Sequence, residues 1–245
     1  MKPPPKKYFP RELKLLFEDA DLVIVEKPAG MLCVPAHYEP EKNALALLRN
    51  FYRKGNPRSK KDLFAVNRID RETSGIVVFA KTLAFRERLH LHWDDVEKTY
   101  LAVARGRVEP ASGTLEDWLR ADENYRVHVV PESEILPEFR ESGIAPSRDG
   151  RGEPARRAIS RYKTIRNGGA RWTSLEVELL TGRKNQIRVQ FSSRGNPLLG
   201  DAMYGDGSGA KRLALHAWKI SFTHPRTRER VAVVSEPPEF FRKFF

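Results

Sequence analysis

Apolar positions along this chain follow two rhythms, and the changes between them mark out its elements. Leu22-Val23-Ile24-Val25 is a continuous apolar run that passes through Glu26-Lys27 to Pro28-Ala29-Gly30, which reads as a strand ending in a turn. From Glu41 to Tyr52, Ala44, Leu45, Leu48 and Tyr52 recur at helical spacing and predict an amphipathic helix. Two short runs, Leu63-Phe64-Ala65-Val66 and Ile76-Val77-Val78-Phe79-Ala80, read as buried strands. Leu83 to Trp93 predicts a helix with Phe85, Leu89 and Trp93 inward, and Lys98 to Gly106 a strand that ends at a glycine. Ile159–Ile165 and Trp172–Leu180 flank Asn167-Gly168-Gly169 and predict a hairpin. Its second strand alternates Thr173, Leu175, Val177 and Leu179 with polar residues, so one face is buried. Thr181 to Phe191 reads as a strand giving way to a helix, ended by Gly195 and Pro197. Strands follow at Leu213–Ala217, Lys219–Phe222 and Arg230–Val234, then a short aromatic helix over 236–245. Residues 121–158 are the least regular, and turn formers around Gly143 to Gly152 predict a mobile insertion within the domain.

The two buried runs at 63–66 and 76–80 hold between them a charged loop, Asn67-Arg68-Ile69-Asp70-Arg71-Glu72-Thr73-Ser74-Gly75. A loop fixed at both ends by buried strands is where a scaffold displays catalytic groups. Asp70 lies between Arg68 and Arg71, and neighbouring guanidinium groups favour the charged form of a carboxylate. That suits a nucleophile or base near neutral pH, but a surface loop with ordinary ion pairs has the same pattern.

Composition narrows the partner. The 245 residues carry 44 Lys plus Arg against 32 Asp plus Glu, a formal charge of +12 with pI near 9.9. Such an excess points to a nucleic acid, with an anionic membrane surface as the weaker option because no strongly basic amphipathic helix stands out. Arg183, Lys184 and Arg188 lie at or near the first turns of the helix after Thr181, a place that favours anions, though a solvated basic face reads the same way. The basic loop Lys54 to Lys61 is either solvated surface or a phosphate contact. No apolar run approaches the ~20 residues that span a bilayer. The basic, proline-rich stretch Met1 to Lys7 lacks an apolar signal core, and residues 1–14 read as a flexible arm. One cysteine, Cys33, excludes an internal disulfide and fits a reducing cytoplasm. The glycine-rich stretch Gly200 to Gly209 has neither P-loop nor dinucleotide spacing, and His90 and His92 have no ligand partner at helical spacing, so neither a nucleotide cofactor nor a metal is expected.

Taken in order, six segments resemble the RluA family of RNA pseudouridine synthases. These are Asp21 to Gly30, running into Lys27-Pro28-Ala29-Gly30; Asn67 to Gly75; Lys98 to Gly106; Thr181 to Gln190; Gly200 to Gly205; and Leu215-His216-Ala217. Asn67, Ile69, Asn185 and Gln190 depart from the family's pattern, three of them standing where it has histidine. The resemblance implies an α+β fold, a mixed and mainly antiparallel sheet flanked by helices and loops, spanning residues 15–245 as a catalytic domain without the small S4 RNA-binding domain of some relatives.

The resemblance implies isomerisation of uridine in structured RNA, ribosomal RNA first and transfer RNA second, by a cytoplasmic monomer that needs no metal or organic cofactor. Asp70 then matches the catalytic carboxylate. Tyr100 matches a tyrosine that stacks on the base, although on its own spacing it is also an ordinary core aromatic. Arg188, or else Arg183, matches the basic residue that pairs with the aspartate. Arg68 would fill the space left by the extracted uridine or hold the RNA backbone, and Asn67, Thr73, Arg183 and Gln186 fall at substrate-binding positions. A catalytically silent RNA-binding or ribosome-assembly factor on the same fold is the alternative, against which the presence of Asp70 and Tyr100 argues.

Overall fold

The computed structural model describes residues 9–56, 58–147 and 152–245. Most of the stretch read as a flexible basic arm, residues 1–8, therefore lies outside the described residues. The chain forms two compact units, one within Met1–Lys98 and His216–Pro238, the other Thr99–Leu215 with Glu239–Phe245. Between them they carry the residues expected to make one catalytic domain.

The first unit opens with β1 (Lys14–Glu18) and β2 (Leu22–Lys27), followed by α1 (Ala44–Arg53), β3 (Phe64–Ala65), β4 (Ser74–Ala80) and α2 (Leu83–His90). Helix α1 starts where Asn43 accepts the amide of Ala46 in its side chain, and it buries Ala44, Leu45 and Leu48 as their spacing requires. Helix α2 is capped by Thr82 and is shorter than expected, ending at His90 so that Trp93 falls in a separate turn. Every residue of β4 is buried, because it has a neighbour on each side. β2 lies antiparallel along one edge, and β3 covers the far end of the other. The first half of the charged loop continues this edge, since the Asn67 side chain accepts the amide of Val78 at 2.8 Å.

The second unit contains β5 (Glu97–Arg105), β6 (Ser112–Ala121), β7 (Val127–Val130), β8 (Ile144–Ala145), β9 (Ala155–Asn167), β10 (Trp172–Leu179) and α3 (Gln186–Ser192). β5, β10, β9, β6 and β7 pair antiparallel in that order, with β8 on the start of β9. The expected hairpin is the β9–β10 pair. Leu175, Val177, Ile187, Phe191 and Leu198 share one apolar core, against which Tyr100 packs. The stretch read as a mobile insertion contains regular elements among its described residues. It carries β7 and β8 and buries Val130, Ile135, Ala145 and Ala155 against Trp118. These strands are too short, and too interrupted by turn formers, to show a rhythm in sequence. Arg148, Asp149, Gly150 and Arg151 lie outside the described residues.

The chain then returns to the first unit through β11 (Leu215–Thr223) and β12 (Arg230–Val234), which pair antiparallel. β11 runs parallel to β4 at His216–Ser74 and Ala217–Gly75. The approach is close enough to demand glycine: a Cβ on Gly75 would lie 2.2 Å from the carbonyl oxygen of Ala217, and its φ of +114° is one that side chains disfavour. The aromatic C-terminus forms only a single turn at Glu239–Phe241.

Candidate active site

The sequence places the carboxylate of interest at the head of a tight turn. The amide of Thr73 donates to the carbonyl of Asp70 at 3.1 Å, so Asp70 through Thr73 form one β-turn. Buried Ile69 anchors the turn from below, and Asp70 itself is half-buried.

Four neighbours fix this turn. Lys27 is fully buried at the end of β2, and its ammonium donates to the carbonyls of Pro28 at 2.8 Å, Arg71 at 3.1 Å and Thr73 at 2.7 Å. A buried cation needs such acceptors to offset the hydration it loses. The amide of Gly30 donates to the Arg71 carbonyl at 2.8 Å, and the Arg71 side chain returns a bond to the Gly30 carbonyl at 3.0 Å. Cys33 Sγ donates to the carbonyl of Ile69 and accepts its amide, each at 3.3 Å. Burial pushes the Cys33 thiol up, so it stays protonated and able to donate at neutral pH, while nearby Lys27 pulls weakly the other way. On the far side Ser74 Oγ lies 2.8 Å from Nδ1 of buried His216, whose Nε2 lies 3.0 Å from the Ser235 carbonyl. A carbonyl can only accept, so this network assigns the ring proton to Nε2 and has the Ser74 hydroxyl donating to Nδ1.

The two arginines that flank Asp70 in sequence are disposed differently. The Arg71 guanidinium turns toward the 30–39 loop and meets Glu39 at 3.2 Å. Arg68 is exposed. Thr73, read as substrate-binding, is 2% exposed, and its hydroxyl has no hydrogen-bond partner among the described residues.

In the second unit, Tyr100 is half-buried on β5, opposite Val177 of β10. Arg188 is buried on α3 and forms a two-pronged ion pair with Asp201, Nε to Oδ2 and Nη2 to Oδ1, both 2.8 Å. Its Nη1 donates to Asn185 Oδ1 at 3.1 Å, and its Cζ lies 5.1 Å from the Tyr204 ring centre. Burial alone would raise the Asp201 carboxyl, but Arg188 and the amides of Tyr204 and Met203 outweigh it and hold the group below its ordinary 3.8.

Within Thr181 to Phe191, where a strand was expected to give way to a helix, the helix begins at Gln186. Asn185 precedes it at φ 55°, a left-handed conformation that asparagine tolerates. Gln186 is buried, and its side chain ties the preceding loop to β9. It accepts from the Thr181 hydroxyl and the Arg183 amide, and it donates to the Ile159 carbonyl and to Ser160 Oγ. These four bonds give Gln186 an architectural part. Arg183 is half-buried and donates to the Arg157 carbonyl at 3.0 Å.

The residues that depart from the family's histidines are internal struts too. Asn185 links Arg188 to the Tyr204 hydroxyl, and Gln190 bonds Ser160, Asp117 and two carbonyls. Sequence reasoning missed Lys27, Cys33, His216 and Asp201 as supports. The one signal for Lys27 was a lysine closing a strand that opens with four apolar residues.

Among the described residues one group has metal-ligand chemistry, Asp19, Asp21 and His224, with ligand-type atoms within 4.8 Å of one another. His224 Nδ1 accepts the amides of Arg226 and Thr227, so the neutral ring holds its proton on Nε2, 3.2 Å from Asp19 and 3.5 Å from Asp21. A cation at Nε2 would have to displace that proton while Nδ1 is occupied as an acceptor. The trio therefore fits a turn closure better than a metal centre.

Comparison with known proteins agrees with this picture. The uncharacterised RNA pseudouridine synthase YhcT of Bacillus subtilis (strain 168) is 33% identical over 231 residues, covering 93% of this chain and 68% of that protein. The ribosomal large subunit pseudouridine synthase D of Xanthomonas campestris pv. campestris is 30% identical over 244 residues, covering 93% and 66%. This chain thus spans about two thirds of the length of each. The solved structure of human RNA pseudouridylate synthase domain containing 4 superposes with a TM-score of 0.70 at 20% identity, over 93% of this chain and 90% of that one, a likeness of fold. Residues 21–193, well over half of the chain, match the RNA pseudouridylate synthase family model, and the chain belongs to that family, in its RluA-type branch, as an RNA uridine-to-pseudouridine isomerase.

Proposed function

We propose that the chain isomerises particular uridines of ribosomal RNA, with Asp70 as the catalytic carboxylate. The observation that carries this reading is the bracing of one short turn by Lys27, Gly30, Cys33 and the Ser74–His216 pair. Such rigidity is what positions a reacting group to within a fraction of an ångström. In the isomerisation the N1–C1′ bond of uridine breaks and a C5–C1′ bond forms. The C5 hydrogen leaves as a proton and N1 gains one, so no atom is lost overall. Asp70 supplies the nucleophile or base for this exchange. Tyr100 and Arg188 serve the same reaction, as the family pattern implies, the first against the base and the second as a fixed positive charge.

A paired uridine is out of reach, so the base must leave its stack at a cost of a few kcal/mol. Phosphate contacts from a chain of charge +12 offset that cost, and Arg68, which is exposed, holds the backbone or fills the gap in this reading. Ribosomal RNA is favoured because a 30% identical relative is named for the large ribosomal subunit.

The test is release of tritium from C5-labelled uridine in unmodified ribosomal and transfer RNA transcripts. Release from the ribosomal transcript supports the proposal. Release from transfer RNA alone would reassign the substrate, and release from neither would favour a silent RNA-binding factor.

A further inference from the structure

The turn joining β6 to β7 presents an aromatic ring in a way that packing does not explain. Tyr125 is 75% exposed and sits at φ +59°. A bulky side chain in the left-handed region is a conformational outlier, and such outliers gather where a ligand is held. The turn is built to keep it there. The Asp122 carboxylate accepts the amides of Asn124 and Arg126, both at 2.9 Å, and the Asp122 carbonyl accepts the amide of Tyr125 at 2.9 Å.

Two cations stand beside the ring's setting. The Lys184 ammonium donates to the Tyr125 carbonyl at 2.7 Å and lies 5.4 Å from the ring centre. The Arg126 guanidinium donates to the Met203 carbonyl at 2.7 Å and lies 5.5 Å from the Tyr204 ring. Met203 leaves 46% of its surface exposed. Tyr204 accepts the Val127 amide and the Asn185 side chain on its hydroxyl, and its ring also faces Arg188. The surface is therefore continuous with the buried Arg188–Asp201 pair.

We infer that Tyr125, with Lys184, Arg126 and Met203, is a stacking platform for an unpaired nucleotide of the RNA substrate, separate from the uridine that is isomerised. Splayed bases are recognised by stacking on aromatic faces beside cations that meet the phosphates, and every base has such a face. An exposed ring, two cations and a thioether suit that ligand, and the chain's net charge draws it in. The inference rests on RNA being the substrate.

The test uses filter binding of unmodified ribosomal and transfer RNA transcripts to the full chain and to three variants. Tyr125→Gly removes the ring and relieves the left-handed backbone, so its urea midpoint should hold or rise while Kd for RNA rises about tenfold. Tyr125→Phe should bind as the native chain does, and Lys184→Ala should weaken binding with a shallower salt dependence. Ultraviolet cross-linking of the native complex should mark Tyr125. Equal RNA affinity of the native chain and Tyr125→Gly would overturn the platform while leaving the proposed function intact. Absence of RNA binding by the native chain would overturn both. A fall in stability and affinity together in Tyr125→Gly, without a Tyr125 cross-link, would make the turn structural and overturn the platform.

Discussion

The ammonium of Lys27 lies 2.7 Å from the carbonyl oxygen of Thr73, three residues beyond Asp70. Because the same ammonium also reaches the carbonyls of Pro28 and Arg71, one buried charge ties the end of β2 to the turn that carries the proposed catalytic group. The Lys-Pro-Ala-Gly and Asn67–Gly75 segments, far apart in sequence, are thus one structural device.

Lys27→Met should separate positioning from binding. It removes the buried charge and takes this donor from the Pro28 and Thr73 carbonyls, a net loss of about 1–3 kcal/mol in urea denaturation. Turnover should fall through kcat, while RNA affinity, which rests on phosphate contacts, stays close to native. A variant with full stability and full kcat would mean that the turn holds its shape without Lys27.

Thr73→Val tests the one hydroxyl of this turn that lacks a partner among the described residues. Replacing a buried, unsatisfied hydroxyl with a methyl of the same shape should leave stability unchanged or raise it by about 1 kcal/mol. Unchanged turnover would make Thr73 a supporting residue. A variant that is more stable yet slow would give the hydroxyl a part in handling substrate.

The Arg188–Asp201 pair makes a prediction about pH. Asp201 is held below its ordinary 3.8, so its contribution is fully present above that value and is lost as pH falls through the lowered folded value. Urea midpoints of the native chain should therefore drop steeply below pH 3.8. Asp201→Asn removes this carboxylate from the buried Arg188 guanidinium and should lower stability in urea at neutral pH by about 1–3 kcal/mol of lost charged hydrogen bonding. The variant should also fall less steeply in acid. Parallel acid profiles of the two proteins would deny the pair this role.

What was legible in the sequence was whatever repeats in a fixed rhythm. The apolar run of β4 and the helical spacing of Ala44, Leu45 and Leu48 could hardly have folded otherwise. The point within Thr181–Phe191 at which the helix starts was not legible, because Gln186, by capturing the Thr181 hydroxyl and the Arg183 amide, keeps that loop out of the helix. No rhythm encodes such a bond. Residues 121–158 hid their strands for a related reason, since two- and four-residue strands between turns are too short for an alternation to stand out. Within the candidate site, Asp70 stood out by its setting between buried runs. Lys27, Cys33, His216 and Asp201 did not, because each works through a partner distant in sequence. Asn185 and Gln190, marked as departures from a family pattern, proved to be buried struts, visible only once their partners were known.

The most direct measurement compares tritium release from C5-labelled ribosomal RNA by the native chain and by Asp70→Asn, with RNA binding followed in parallel. The account predicts release by the native chain, none above background by the variant, and RNA affinity within about tenfold for the two, since phosphate contacts dominate binding. Release by Asp70→Asn at the native rate would contradict the assignment of Asp70. Loss of affinity together with activity would show that Asp70 holds the turn in place and does no chemistry.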